Sequence, residues 1–200
     1  MTTKKSAGTV LGAATVAMGL IAGAFYVFAC AVMPGLARSD DEVYVEVMRN
    51  INDVIQNPVF MLSFLGALVL TGVAAWQARG AGYRRWVWAG LVAYALAFLV
   101  TVAFNIPLND ALDRATDSAA AREEFEDAWV AWNVVRAVLS TVAMGCLARA
   151  LGGAVRPPDV SLISPPPPLP IPIPRGMLPH RPRSQGALPP GPPLLKRRRG

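Results

Sequence analysis

The residues best suited to chemistry lie at the start of the last hydrophobic stretch, where Trp129, Trp132, Asn133 and Arg136 open a long apolar run. In a helix Trp129, Asn133 and Arg136 fall at i, i+4 and i+7 on one face, with Trp132 beside them. A guanidinium and an amide donate hydrogen bonds to an oxyanion, and indole rings stack on flat aromatic molecules. An arginine inside such a run must snorkel to the membrane surface or find partners within the protein. This stripe is therefore the first candidate site.

Three further amides are expected at the same level. Asn57 precedes the second apolar run, and Asn105 and Asn109 flank Pro107 at the end of the third. In an up-down bundle these residues lie toward the same end as Asn133. Polar groups are costly in hydrocarbon, so we expect them to meet inside the bundle.

Two interpretations of this polar cluster remain open from the residues alone. In one, the cluster lines a ligand pocket. In the other it is a structural network, in which the amides bond to backbone groups freed where Pro107 stops the helix. Arg136 then reaches outward to Asp110 or Asp113.

The composition indicates a membrane protein, since 54% of the 200 residues are hydrophobic and only 16% are charged. Residues 1–156 carry 12 Lys and Arg against 12 Asp and Glu, whereas residues 157–200 carry 7 against 1. The net charge of +6 therefore belongs to the C-terminal part and gives no basic surface for nucleic acid on the rest.

Four apolar runs, at about residues 9–33, 58–77, 86–106 and 128–148, are long enough to cross a bilayer. We predict an all-α fold, a four-transmembrane-helix up-down bundle spanning residues 1–152. The first run is interpreted as an uncleaved span; a cleaved signal peptide is the alternative, but its apolar core is normally about 7–15 residues.

The first connector predicts an amphipathic surface helix that lies on the membrane or on the outer rim of the bundle. Ser39 to Glu42 has the form of a capping box. Apolar residues then follow at helical spacing: Val43, Val47, Ile51 and Val54.

Lys and Arg collect before the first run, between the second and third, and after the fourth, which predicts that both termini are cytoplasmic. The candidate site would then lie toward the outer side. Cys30 and Cys146 would lie near opposite membrane faces, too far apart for a disulfide, and are expected to be free and buried.

The Pro- and Arg-rich segment 153–200 predicts a disordered tail. A polyproline ligand with a basic end that contacts anionic lipid is the functional alternative. The only histidine, His180, lies in this segment, so nothing suggests a histidine metal site in the bundle.

One pair of motifs resembles a known family. The motif Asn105-x-Pro107-Leu108-Asn109, an acidic connector, and Trp129-x-x-Trp132-Asn133-x-x-Arg136 are similar to the signature of the anthrone-oxygenase-like family of small four-helix membrane proteins, over roughly residues 10–152. The resemblance implies oxidation of planar phenolic or polyketide substrates by dioxygen, with no metal or flavin cofactor. Many members are bacterial, which implies the plasma membrane of a bacterium.

Such an enzyme needs a general base and donors for a developing oxyanion. The donors cannot act as the base, so that role would fall to Asp110 or Asp113, or the substrate would itself be acidic. The candidate catalytic residues are Arg136, Asn133, Asn105, Asn109 and Asp110, and the candidate substrate-binding residues are Trp129, Trp132 and Asn57.

The missing base motivates a second hypothesis, a non-catalytic membrane protein that carries a lipophilic ligand or supports a partner complex. The expected partners are the lipid bilayer and a hydrophobic aromatic small molecule, with no nucleic acid. Whether the chain forms a homo-oligomer is left open.

Overall fold

The computed structural model describes residues 2–155, with side chains from 6 to 154. Seven α-helices form there: α1 (Thr2–Val27), α2 (Met33–Leu36), α3 (Asp41–Val54), α4 (Pro58–Gln77), α5 (Arg84–Val100), α6 (Ile106–Arg114) and α7 (Ser118–Val155). Two π-helical segments, Phe28–Val32 and Thr101–Asn105, join α1 to α2 and α5 to α6. This range contains no strand. The predicted tail lies outside the described residues, except that its first three belong to α7.

Four helical segments are long and apolar enough to cross a membrane: Ser6–Leu36, Pro58–Gln77, Arg84–Arg114 and Ser118–Ala154. The predicted four-transmembrane-helix bundle is therefore confirmed. Each span packs against the next one along the chain, and α7 packs back against α1. We call the end that carries α3 the α3 end, and the end that carries residues 78–83 the loop end.

Small residues let the spans approach closely. A Cβ atom added to Gly90 of α5 would lie 3.2 Å from the carbonyl oxygen of Ala143 in α7. Tyr94 is fully buried, and its hydroxyl donates a 2.8 Å hydrogen bond to the carbonyl oxygen of Phe64 in α4. These contacts hold α5 against both of its neighbours.

The prediction that Pro107 stops the third helix is wrong. The chain passes from α5 through the π-helical segment into α6, and Pro107 is the second residue of α6. Pro34 occupies the same position after the other π-helical segment. Proline lacks an N–H and its ring clashes with the carbonyl four residues earlier, and the wider π turn accommodates both defects.

A second apolar core lies at the α3 end, in a region that we call the cap: α2, α3, α6 and residues 118–128 of α7. It contains Met33, Tyr44, Val45, Met48, Leu112, Ala121 and Phe125, and it ends at Trp129. The helix predicted in the first connector is confirmed as α3, but its buried face is not the predicted one. Val43 and Val54 are exposed, because contacts with α6 and α7, rather than a membrane surface, decide which side of α3 is buried.

The predicted capping box does not form. Asp40, not Ser39, precedes α3, and no side chain caps the helix. The Ser39 carbonyl oxygen instead accepts a 2.8 Å hydrogen bond from Arg122 of α7. The chain before α3 is therefore held by a long-range arginine contact and not by the predicted local cap.

Arg122 and Arg49 connect the elements of the cap. Arg122 also donates to the carbonyl oxygen of Ala37 at 2.9 Å, and it forms ion pairs with Asp41 at 2.9 Å and Glu126 at 2.7 Å. Arg49 of α3 donates to backbone oxygens at the end of α6, those of Leu112 and Ala115. Each arginine thus donates to carbonyls at or just after the end of a helix, α2 for Arg122 and α6 for Arg49.

Both cysteines are free, as expected, but the expectation that they are buried is wrong. Cys30 is exposed and Cys146 is half-buried. A span in a bilayer turns much of its apolar surface toward lipid, so an apolar run does not by itself specify burial inside the protein.

Candidate functional site

A cavity of about 270 Å³ lies at the α3 end, just below the roughly 300–1,000 Å³ range of small-molecule sites. All four spans contribute to it, and the C-terminal part of α3 covers it. Its apolar wall consists of Ala24, Phe25, Phe28, Ile51, Ile55, Phe60, Met61, Phe64, Ile106 and Trp129. Its polar residues are Asn52, Gln56, Thr101, Asn109, Asp110, Asn133 and Arg136.

Arg136 is the charged group of the buried wall, with 6% of its surface exposed. Its guanidinium carbon lies 4.3 Å from the ring centre of Phe25 and 5.3 Å from that of Trp129. Its Nη2 donates a 2.9 Å hydrogen bond to Oδ1 of Asn133, whereas its Nε has no partner within the described residues. The charge is therefore held by aromatic faces and one amide.

No carboxylate pairs with Arg136 in the described part of the chain. The ion pairs found there join Arg114 to Asp110 and Arg122 to Asp41 and Glu126. The alternative in which Arg136 reaches outward to Asp110 or Asp113 is thus not what the structure shows. The aromatic rings hold the guanidinium inside the bundle.

Asn133 fixes the position of Arg136. It is fully buried, and its Nδ2 donates a 3.1 Å hydrogen bond to the carbonyl oxygen of Phe25 in α1. This bond leaves Oδ1 of Asn133 directed at the guanidinium. The predicted Asn133 and Arg136 pair therefore does meet at the cavity.

Asn109 fixes the indole ring of Trp129. Its Oδ1 accepts a 2.7 Å hydrogen bond from Nε1 of Trp129, which is 4% exposed. The Nδ2 group of Asn109 makes no hydrogen bond to the residues described and remains available to a ligand. The first and second signature motifs thus meet through this bond.

Asp110 is the carboxylate that lines the cavity. Its side chain is 60% exposed and forms a long ion pair of 3.8 Å with Arg114. It therefore lies at the rim rather than beside Arg136. Asp113, the other predicted base, is exposed and does not line the cavity.

Two predicted site residues have other roles. Asn57 accepts hydrogen bonds of 3.0 Å from the backbone N–H groups of Val59 and Phe60, so it caps the start of α4. Trp132 stacks on Phe104 with 3.8 Å between ring centres and does not line the cavity. Trp129 and Trp132 are three residues apart on α7, and their side chains point in directions that differ enough to place Trp129 inside the cavity and Trp132 beside it.

Asn105 is buried next to the cavity without lining it. It is 1% exposed, and its Nδ2 makes a long 3.5 Å hydrogen bond to the carbonyl oxygen of Trp129. Its Oδ1 has no partner in the described region. Asn105 thus contacts the backbone of α7, and not backbone groups freed by Pro107.

A family model described as "Anthrone oxygenase" matches residues 54–146. The resemblance to the anthrone-oxygenase-like family that the two motifs predicted is therefore confirmed over this range. The match includes both signature motifs but is shorter than the predicted resemblance over residues 10–152, since it leaves out α1 and nearly all of α3. No curated protein and no solved structure matches the chain.

The sequence motifs of the anthrone-oxygenase-like family did not reveal the aromatic walls of the cavity. Phe25 and Phe28 come from α1, outside the matched range, and Phe60 and Phe64 come from α4. A usable signal existed in α4, where Phe60 and Phe64 are four residues apart and share one helix face. Phenylalanines in apolar runs are usually lipid-facing or core residues, which is why they were not singled out.

The described residues contain no group of three or more His, Cys, Asp or Glu side chains arranged to hold a metal ion. Two donors at the cavity, Nε of Arg136 and Nδ2 of Asn109, have no partner among the described residues and suit an anion. The arrangement can bind a flat aromatic molecule between the rings and stabilise negative charge on it through Arg136 and Asn109.

Proposed function

We propose that the protein is a membrane-embedded, cofactor-independent oxygenase that binds a planar phenolic or polyketide-like substrate in the cavity at the α3 end. One observation carries the proposal: a buried guanidinium lines an aromatic cavity, and among the described residues its Nε has no hydrogen-bond partner and its charge has no carboxylate partner. The family match supports the same reaction class. Because a buried charge needs compensation, an anionic form of the substrate is the natural partner of Arg136.

The chemistry is the oxidation of an acidic CH₂ group that lies between two aromatic rings and is conjugated through them to a ketone on the opposite side of the central ring. Removal of one proton gives an enolate, whose electron-rich carbon reacts with dioxygen. One oxygen atom stays on that carbon as a carbonyl, and the other leaves as water with the two hydrogens of the CH₂ group. The substrate supplies all the electrons, so the balance needs no further reductant.

In this proposal Arg136 and Nδ2 of Asn109 donate to the enolate oxygen, and Asn133 holds Arg136 in place. The rings of Phe25, Phe64 and Trp129 contact the substrate. Asp110 takes the proton at the rim. A guanidinium in surroundings of low dielectric constant favours the ionised form of the substrate, so removal of the proton demands less of the base.

Oxygen consumption by purified protein with anthrone tests the proposal. Empty detergent micelles measure spontaneous oxidation, and an anthrone whose acidic carbon carries two methyl groups gives a substrate that cannot ionise.

Arg136→Met keeps the volume of the side chain and removes its donors. We expect this variant to lose about 10²–10³-fold in rate, as when an oxyanion donor is removed. Asn57→Ala, outside the cavity, is the control with unchanged rate, and an Arg136→Met variant as active as the parent would overturn the proposal.

One observation favours a second candidate, a non-catalytic carrier of an aromatic ligand. Asp110, a carboxylate at the cavity, is largely exposed, and within residues 6–154 no buried base lines the cavity beside Arg136. A carrier would bind the blocked and unblocked anthrones equally well and would not accelerate oxygen uptake. Measuring binding and oxygen uptake on the same samples separates the two functions.

A further inference from the structure

In the described part of the chain the acidic residues are confined to one end of the bundle. Every acidic residue lies in 40–53 or 110–127, except Asp159. In the described part of the chain all carboxylates are therefore at the α3 end. The loop end carries exposed arginines: Arg79, Arg84, Arg85 and Arg149.

Two of these arginines, on different helices, share one indole ring. The guanidinium carbon of Arg85 in α5 lies 5.6 Å from the ring centre of Trp86, and that of Arg149 in α7 lies 5.7 Å from the same centre. Close helix packing brings them together, because a Cβ atom on Gly153 would lie only 3.2 Å from Cβ of Tyr83. Guanidinium groups from two helices thus lie around one indole ring, with no carboxylate partner among the described residues.

Exposed indoles place this pair at the level of lipid headgroups. Trp76 and Trp88 are 59% and 47% exposed, and tryptophans of this kind mark the membrane interface. Arg79 stacks on Trp76, with 4.7 Å from its guanidinium carbon to the ring centre. The arginines therefore face the region in which phosphate groups of phospholipids lie.

We infer that Arg85, Trp86 and Arg149 form a binding site for the phosphate of an anionic phospholipid. Guanidinium groups bind phosphate oxygens through paired hydrogen bonds, and an arginine on each of two helices offers such donors around the indole ring of Trp86. The exposed apolar face of α5, with Val92 and Leu96, offers a surface for the acyl chains. The Lys and Arg distribution predicts that this end is cytoplasmic, where anionic lipids concentrate.

Lipid binding to the purified full chain tests this inference. The protein in neutral detergent is titrated with phosphatidylglycerol or phosphatidylcholine, and bound lipid is counted by native mass spectrometry. We expect preferential binding of phosphatidylglycerol. Arg85→Gln and Arg149→Gln should each weaken it about fivefold, the effect of one basic residue near an anionic surface. Thermal unfolding of each variant shows whether it remains folded.

Arg84→Gln is the matched control, because it removes the same charge from the same end without contacting Trp86. It should leave most of the phosphatidylglycerol affinity intact. Equal losses for Arg84→Gln and Arg85→Gln would indicate diffuse attraction and overturn the site. Competition by inorganic phosphate or glycerol phosphate at the same concentration as the lipid would also overturn it, since the ligand would then be a soluble phosphate.

Discussion

Arg122 and Arg136 lie on the same helix, but the number of partners that each guanidinium has differs between the cap and the cavity. In the cap, Arg122 donates to two backbone carbonyls and two carboxylates and stacks on Tyr44 at 4.6 Å. In the cavity, Arg136 has one amide partner and an unpartnered Nε. A charged side chain whose hydrogen bonds and ion pairs are all made stabilises a fold. A buried charge that lacks some of these partners costs free energy unless a ligand supplies them.

The largest expected effect on stability separates these two arginines. Arg122→Ala should lower the free energy of unfolding by about 3 kcal/mol, because it removes hydrogen bonds to two backbone carbonyls and two carboxylates together with the packing of the side chain on Tyr44. Arg136→Met should change the same quantity by less than about 1 kcal/mol, since an apolar residue of similar volume replaces an under-bonded charge. Unfolding in mixed micelles, followed by circular dichroism, measures both.

Leu139→Met is the control for introducing a methionine into this helix. Leu139 lies one turn from Arg136 and is half-buried against the bundle core. If Arg136→Met proved as destabilising as Arg122→Ala, Arg136 would be a structural residue like Arg122. The contrast between cap and cavity would then disappear, and with it the main support for a ligand at Arg136.

Arg49 should show the next largest effect within the cap. Arg49→Ala removes the donor for the Leu112 and Ala115 carbonyls at the end of α6. We expect a loss of about 2 kcal/mol in the free energy of unfolding. Arg49→Lys keeps the charge but not the paired N–H groups, and it should restore only part of the loss. Full rescue by lysine would mean that the helix end requires charge rather than the fork geometry.

The extent to which the sequence predicts the structure differs between the helical bundle and the candidate site. The four spans were predictable because length and hydropathy are local properties. The face of α3 was not, because burial of Tyr44 and Met48 depends on α6 and α7. The passage of the helix through Pro107 was also missed, since a π-helical turn has no reliable sequence signal.

For the candidate site, the Asn109, Trp129, Asn133 and Arg136 group was predictable because polar residues in apolar runs are rare. Phe25 was not, because its contact with Arg136 joins the first span to the last, and no local pattern encodes that pairing. Trp132 was misplaced for a related reason. The spacing shows that it flanks the stripe, but only the packing against Phe104 decides on which side it lies.

Asn109 provides a smaller test on the cavity side of the comparison. Asn109→Leu leaves Nε1 of Trp129 without its acceptor and removes a donor from the cavity. We expect about 1 kcal/mol of lost stability and anthrone binding weakened by about fivefold or more, as for one hydrogen bond. Asn57→Ala should lower the free energy of unfolding by a similar amount, because it removes the side chain that bonds the first N–H groups of α4. It should leave anthrone binding unchanged. Equal binding losses in the two variants would show that Asn109 acts only through stability.

The smallest effect concerns Tyr44 of the cap, which is fully buried and whose hydroxyl has no partner within the described residues. Burial, together with the nearby Glu126 carboxylate, raises the pKa of Tyr44 above its usual value. Below about pH 10, the ordinary tyrosine pKa, the phenol is neutral in both the folded and unfolded states, and its contribution to stability is fully present. As pH rises further, the unfolded chain ionises first, so the free energy of unfolding falls.

Tyr44→Phe should alter stability at pH 7 by less than about 1 kcal/mol and flatten the decline above pH 10, as urea or detergent unfolding at pH 7 and 11 would measure. An unchanged decline would mean that the phenol of Tyr44 is not shielded, and that the cap is as open to water as the rim of the cavity.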